Sequence, residues 1–121
     1  LEAGGLLAAL REAAVSAGVP ARIEVAAGGR YPPEVAGAVY FCCLEVLERA
    51  GDGARATVKV RDEEGALVFE VVDDGAGSAS RTSEGVLGVL CDRVEALGGQ
   101  LTIEPEHGSG ARVSGSLPLP R

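Results

Sequence analysis

The sequence contains no methionine and no tryptophan, and only two tyrosines and two phenylalanines. A core built on large aromatic side chains is therefore excluded. Val, Leu, Ile and Ala must fill it, a mix suited to an α/β or α+β domain. No apolar run approaches the ~20 residues that cross a bilayer as a helix, and no targeting segment is visible, so membrane contact by this chain is not expected. Basic residues are scarce: 11 Lys and Arg against 18 Asp and Glu leave a formal charge of −7. Binding to a phosphate backbone requires a concentrated basic surface, which argues against a nucleic-acid partner, although backbone N–H groups can still hold an anionic ligand. The three cysteines, Cys42, Cys43 and Cys91, have neither the paired number nor the spacing of a disulfide framework or zinc site. Two of them lie within the apolar stretch "AVYFCCLEVL", where a free thiol behaves as a small hydrophobe, and a reducing cytoplasm is the expected setting.

What is present reads as one domain over residues 1–121, with 46% hydrophobic and 24% charged residues. The chain opens at Leu1 without an initiator Met and is expected to be a piece of a longer protein. Leu6, Leu7, Leu10, Ala13, Ala14 and Ala17 follow helical spacing until Gly18 and Pro20 interrupt it. "ARIEVA" alternates as a half-buried strand does, with Arg22 and Glu24 outward. Pro33 is placed for the first turn of a second helix, which carries Val35, Val39, Cys43, Val46, Leu47 and Ala50 on its apolar face. "ATVKVRDEEGALVFEVVD" predicts two strands joined by a turn around Asp62 to Gly65. "GVLGVLCDRVEALGG" predicts a third helix with Gly98 at its C-cap. "QLTIEP" and "ARVSGSLP" flank a closing hairpin turn that contains His107, the single histidine, as a solvated turn residue. The order α, β, α, β, β, α, β, β predicts an α+β fold, a two-layer sandwich in which three helices cover one face of a mixed sheet of about five strands.

One stretch asks for more than a fold. "VFEVVDDGAGSAS" runs an apolar strand into Asp73 and Asp74 and then into Gly75 and Gly77. An ionised Asp at such a strand end is an acceptor suited to an exocyclic amine or a bound water. The glycines remove the Cβ atoms that would keep a flat ligand off the backbone. By itself the pattern also suits an ordinary turn.

Downstream, "DRVEALGGQLTIEPEHGSGARVSGSLPLP" resembles the C-terminal part of the ATP-binding domain of sensor histidine kinases, a member of the superfamily shared by gyrase, Hsp-type chaperones and mismatch-repair ATPases. That family's strand ending in Asp-x-Gly-x-Gly is matched by Asp73, Gly75 and Gly77, and "YPPEVAGAVYFCCLEVLERA" resembles the helix that carries its Glu-x-x-x-Asn motif. The resemblance runs from about Leu6 to Pro118, and the few residues from Ser78 to Glu84 make it most similar to the short-lid, nitrate-sensor-like class. It implies ATP as ligand, with Asp73 on the adenine amino group, Gly75 and Gly77 as floor, Gly85 and Gly88 at the lid, and Glu45 orienting the acceptor or a water. It also implies a separate dimerisation domain bearing the phosphoacceptor histidine and, indirectly, a response regulator. The chain alone is expected to be a monomer, because dimerisation in the family uses that other segment.

The sequence departs from the pattern at three places. The Asn position of Glu-x-x-x-Asn holds Arg49; in the family that Asn helps to hold magnesium, and a guanidinium cannot ligate a cation. "AGDGA", Ala50 to Ala54, supplies no basic group for phosphate. Val86 and Val89 stand where the lid helix usually carries glycines. Arg49 has two readings: an i,i+4 salt bridge with Glu45, or a tethered positive charge that takes the place of the metal and contacts phosphate directly. The departures also leave open an alternative to a working kinase domain, a degenerate kinase-like scaffold that binds nucleotide weakly or not at all.

Overall fold

The computed structural model describes residues 3–26, 31–50, 54–74, 84–105 and 111–119. Helix α1 spans Ala3–Ala17 and buries Leu6, Leu10, Ala13 and Ala14. Its stop is the one the Gly18 signal predicts. Gly18 adopts φ 71°, its N–H donates to the Val15 carbonyl at 3.1 Å, and the Val19 N–H donates to the Ala14 carbonyl at 3.0 Å. These two bonds form a Schellman cap, which satisfies carbonyls that the helix end would otherwise leave open. Helix α3, Glu84–Ala96, closes in the same way: Gly98 sits at φ 83°, its N–H donates to Glu95, and the Gly99 N–H donates to Val94.

Helix α2 spans Pro33–Ala50, with Pro33 at its first position, Glu34 in the first turn and Arg49 in the last. Both charges have the sign that the helix dipole favours. All six residues expected on its apolar face are buried, and so are Ala36, Ala38 and Cys42. The buried surface is wider than one stripe because α2 packs against β3 and against both other helices. Burial pushes the Cys42 thiol up to about 12 and the Cys43 thiol further in the same direction. Cys91 is also raised, by burial first and then by the Glu95 and Asp92 carboxylates. All three are free thiols, and Cys42 and Cys43 are parts of the core.

The strands are β1 (Ala21–Ala26), β2 (Ala56–Glu63), β3 (Ala66–Asp73), β4 (Gln100–Pro105) and β5 (Ala111–Pro118). They form one sheet in the order β1-β2-β3-β5-β4, with β1 parallel to β2 and every other pair antiparallel. The predicted α+β architecture, a mixed five-stranded sheet with three helices, is therefore the observed one. β2 and β3 meet at Glu63↔Ala66 through a two-residue turn, Glu64 at φ 49° and Gly65 at φ 82°. Positive φ at both central residues is the I′ geometry that matches the twist of a hairpin.

Alternation along β3 places Leu67, Phe69, Val71 and Asp73 on the buried face. The opposite face carries Arg22, Glu24, Lys59, Thr102 and Glu104 exposed to solvent, as the sequence pattern predicts. There Arg112 lies 3.5 Å from Glu70. The helices and the inner sheet face enclose a core in which Phe69, Leu67 and Leu117 are among the largest fully buried side chains. Gly115 of β5 stands opposite Phe69 in the register, and a Cβ there would lie 2.5 Å from two of its ring carbons.

Candidate functional site

The period of two that buries Leu67, Phe69 and Val71 carries one position further and buries Asp73, which is 3% exposed. Among the described residues it is the one buried charged side chain. An ionised carboxylate gives up solvation in such a place and has to be met by polar partners, so a strand that ends in Asp rather than in a fourth apolar residue makes this end of the sheet polar instead of extending the apolar core. Asp73 pairs across the sheet with Ala56 at the start of β2.

The neighbouring aspartate has a different task. Asp74 is exposed, its N–H donates to the Arg55 carbonyl at 3.0 Å, and its Oδ1 accepts from the Arg55 N–H at 3.1 Å. Asp74 thus clamps the end of the β2–β3 ladder, while Asp73 points into the molecule. A cleft of about 170 Å³ opens at this end of the sheet, lined by Arg55, Ala56, Thr57, Val72, Asp73 and Asp74.

Helix α2 delivers its last turn to the same end of the fold. Ala50 shares a buried cluster with Ala54 and Ala56, and Ala56 is the cross-strand partner of Asp73. Glu45 and Arg49 lie on the flank of α2 in these last turns. Arg49 Nε is 3.7 Å from Glu45 Oε2, and the two side chains are 25% and 32% exposed. The i,i+4 ion pair anticipated from the sequence is present, but it is a charge contact rather than a hydrogen bond, since Arg49 Nε is buried without a hydrogen-bond partner. Position 49 offers only N–H donors, so these residues do not make a magnesium site of the kind the Glu-x-x-x-Asn pattern implies.

Of the four glycines expected at the site, Gly75 and Gly77 lie outside the described residues, as does His107. Gly85 falls in the first turn of α3 and Gly88 in the second. A Cβ at Gly88 would meet nothing within 4 Å, so packing within the described residues gives no reason for glycine there. An interior helical glycine costs about 1 kcal/mol relative to alanine, which leaves close approach of a ligand or partner as a reason for its presence.

A second concavity was not anticipated. Between the first half of α2 and the last turns of α3 runs an open groove of about 600 Å³ that includes Gly37, Ala38, Phe41, Arg93 and Leu97. Phe41 is 44% exposed, and the Arg93 guanidinium lies 4.7 Å from its ring centroid, a cation–π contact between the helices. The groove is larger than the cleft beside Asp73, but it holds no buried charge and shares no lining residue with that cleft. Chemistry, rather than volume, therefore assigns the candidate site to Asp73. The sequence signal for the groove is the aromatic pair Tyr40 and Phe41 on α2, and that signal does not distinguish groove from core.

No helix among the described residues is long and apolar enough to cross a membrane. No family model matches the chain, and neither does any curated protein. Solved structures do. The histidine kinase domain of the Erythrobacter litoralis blue-light activated histidine kinase superposes with a TM-score of 0.64 at 21% identity, covering 97% of this chain and 59% of that one. The chain thus spans about three fifths of that structure's length. The mycobacterial sensor histidine kinase MprB gives 0.67 at 14% identity, with 98% of this chain and 97% of that chain covered. A histidine kinase from Burkholderia phymatum gives 0.68 at 15% identity, with 98% and 67% covered. The likeness extends over nearly the whole chain in each case, and its fold is that of a histidine kinase catalytic domain.

Proposed function

We propose that this chain is the ATP-binding, catalytic-type domain of a sensor histidine kinase, which supplies ATP for phosphorylation of a histidine on a separate dimerisation domain. The observation that carries the reading is Asp73, a carboxylate buried at the end of the central strand where the motif Asp73-x-Gly75-x-Gly77 begins. In this role Asp73 accepts a hydrogen bond from the adenine amino group. Gly75 and Gly77 let the base lie against the backbone, and Gly85 and Gly88 open the first turns of α3 toward the phosphates, where helical N–H groups favour anions. Glu45 orients the acceptor or a water. The domain's contribution to phosphoryl transfer is then positioning and charge neutralisation, with little covalent chemistry of its own.

The wider setting belongs to the same proposal: a bacterial two-component pathway, a cytoplasmic location, a phosphoacceptor domain as direct partner and a response regulator as indirect one, with this domain monomeric by itself. The scaffold alternative has against it the buried Asp73, which a chain without a nucleotide would have no packing reason to keep. The test is displacement of a fluorescent ATP analogue from the chain by ATP, ADP and GTP. Adenine nucleotides should displace it at concentrations at least about tenfold lower than GTP, because a carboxylate that meets a carbonyl in place of an amino group faces an acceptor instead of a donor and is repelled by it. Equal displacement by ATP and GTP would remove the site assignment.

A further inference from the structure

We infer that the nucleotide site holds its anionic ligand without a divalent cation, the Arg49 guanidinium taking the place of the metal. The inference rests on the nucleotide reading above and adds to it how the phosphate charge is met.

Three observations lead here. The first is place. Arg49 occupies the last turn of α2, and its neighbour Ala50 lies in one buried cluster with Ala54 and with Ala56, the cross-strand partner of Asp73. The backbone of this turn is therefore packed toward the end of the sheet where the adenine acceptor is assigned.

The second is the state of the side chain. Arg49 Nε is buried without a hydrogen bond, and its acidic neighbour Glu45 stands 3.7 Å away, both groups partly open to water. A pair of this kind on a helix is weak. Little holds the guanidinium fork in its present contact, and a buried N–H with no acceptor gains from an anion that supplies one.

The third is charge and donor chemistry. The chain carries −7, and Asp73 and Asp74 lie at this end with Arg55 beside them, while Glu45 and Glu48 share the last turns of α2 with Arg49. A nucleotide phosphate chain entering such a field needs positive charge supplied locally. Magnesium would require oxygen ligands at position 49, and arginine has none. Arginine does offer five donors in a planar fork matched to phosphate oxygens. The residue that removes the metal ligand therefore supplies a permanent cation in its stead.

The experiment is calorimetric titration of the chain with ATP and with adenosine, in EDTA and in excess magnesium, repeated on Arg49→Ala and Arg49→Asn. For the wild-type chain, ATP affinity should agree within about twofold in EDTA and in magnesium, since the fixed charge is present in both. In Arg49→Ala the ratio of ATP to adenosine affinity should fall by about tenfold or more, the loss of a charge-assisted phosphate contact. Arg49→Asn restores an amide oxygen and should bind ATP more tightly in magnesium than in EDTA. Wild-type binding of ATP that disappears in EDTA would overturn the inference and leave the nucleotide reading standing. An Arg49→Ala ratio within about twofold of wild type would do the same. Failure of the folded wild-type chain to bind either ATP or adenosine would instead remove the nucleotide reading, and this inference with it.

Discussion

Substituting Gly115 by alanine tests how the central strand is held. Gly115 faces inward on β5 opposite Phe69, and an added Cβ would lie 2.5 Å from the Phe69 Cε1 and Cζ atoms and 3.2 Å from Leu101 Cδ1. Phe69 is 1% exposed, so its ring has no solvent side into which to move. Overpacking of a closed core costs about 1–3 kcal/mol. At about 2.1 cal/mol/K per residue of unfolding entropy, a 121-residue chain loses about 4 °C in Tm per kcal/mol, so Gly115→Ala should lower Tm by about 4–12 °C. A double-mutant cycle with Phe69→Leu isolates the cause. Phe69→Leu alone should cost about 1 kcal/mol or more through lost burial, but it vacates the ring carbons that the new methyl meets. In that background the cost of Gly115→Ala should shrink by at least about 1 kcal/mol. Thermal unfolding followed by circular dichroism measures all four proteins. A Gly115→Ala cost within about 0.5 kcal/mol of zero, or one unchanged by Phe69→Leu, would refute this packing of β3 on β5. Because Asp73 lies four residues along the same face of β3, a displaced Phe69 should also weaken nucleotide binding.

Two further outcomes follow from the fold. Glu64 sits at φ 49° in the β2–β3 turn, and Glu64→Asn should raise the urea midpoint by an amount equivalent to about 0.5 kcal/mol, since Asn tolerates the left-handed region better; an unchanged or lower midpoint would contradict the turn geometry. The raised thiols of Cys42 and Cys43 make stability depend on alkaline pH. Below about 9 the thiols are neutral in both states, whereas above it the unfolded chain loses protons that the folded chain keeps, so stability falls as pH rises toward the folded value of about 12 for Cys42. Each such thiol contributes a loss of at most about 1.4 kcal/mol per pH unit, and urea unfolding between pH 8 and 10.5 should show a steeper decline for wild type than for Cys43→Ala; parallel declines would count against the burial of that thiol.

Much of the fold was legible because its signals are local. Gly18 and Gly98 stop helices by taking positive φ, Pro33 starts one, and the apolar run of "ALVFEVVD" marks β3 as a strand. Asp73 was legible as the residue at which that apolar run ends. The sheet order was less so. That β5 rather than β4 lies beside β3 depends on pairing between distant segments, and no single residue announces it. The two adjacent aspartates looked alike in the sequence, and only the Arg55 backbone, 19 positions away, separates a structural Asp74 from a buried Asp73. The groove at Phe41 escaped notice because an aromatic on a helix has the same appearance whether the neighbouring helix covers it or leaves it half open.

The central claim is that Asp73 ends its strand in order to read adenine. Calorimetric titration of ATP and GTP into the wild-type chain and into Asp73→Asn tests it most directly. The account predicts that wild type favours ATP by about tenfold or more and that Asp73→Asn loses this preference while its far-ultraviolet circular dichroism is unchanged. Equal affinity for ATP and GTP in wild type, or a preference for ATP that survives in Asp73→Asn, would contradict it.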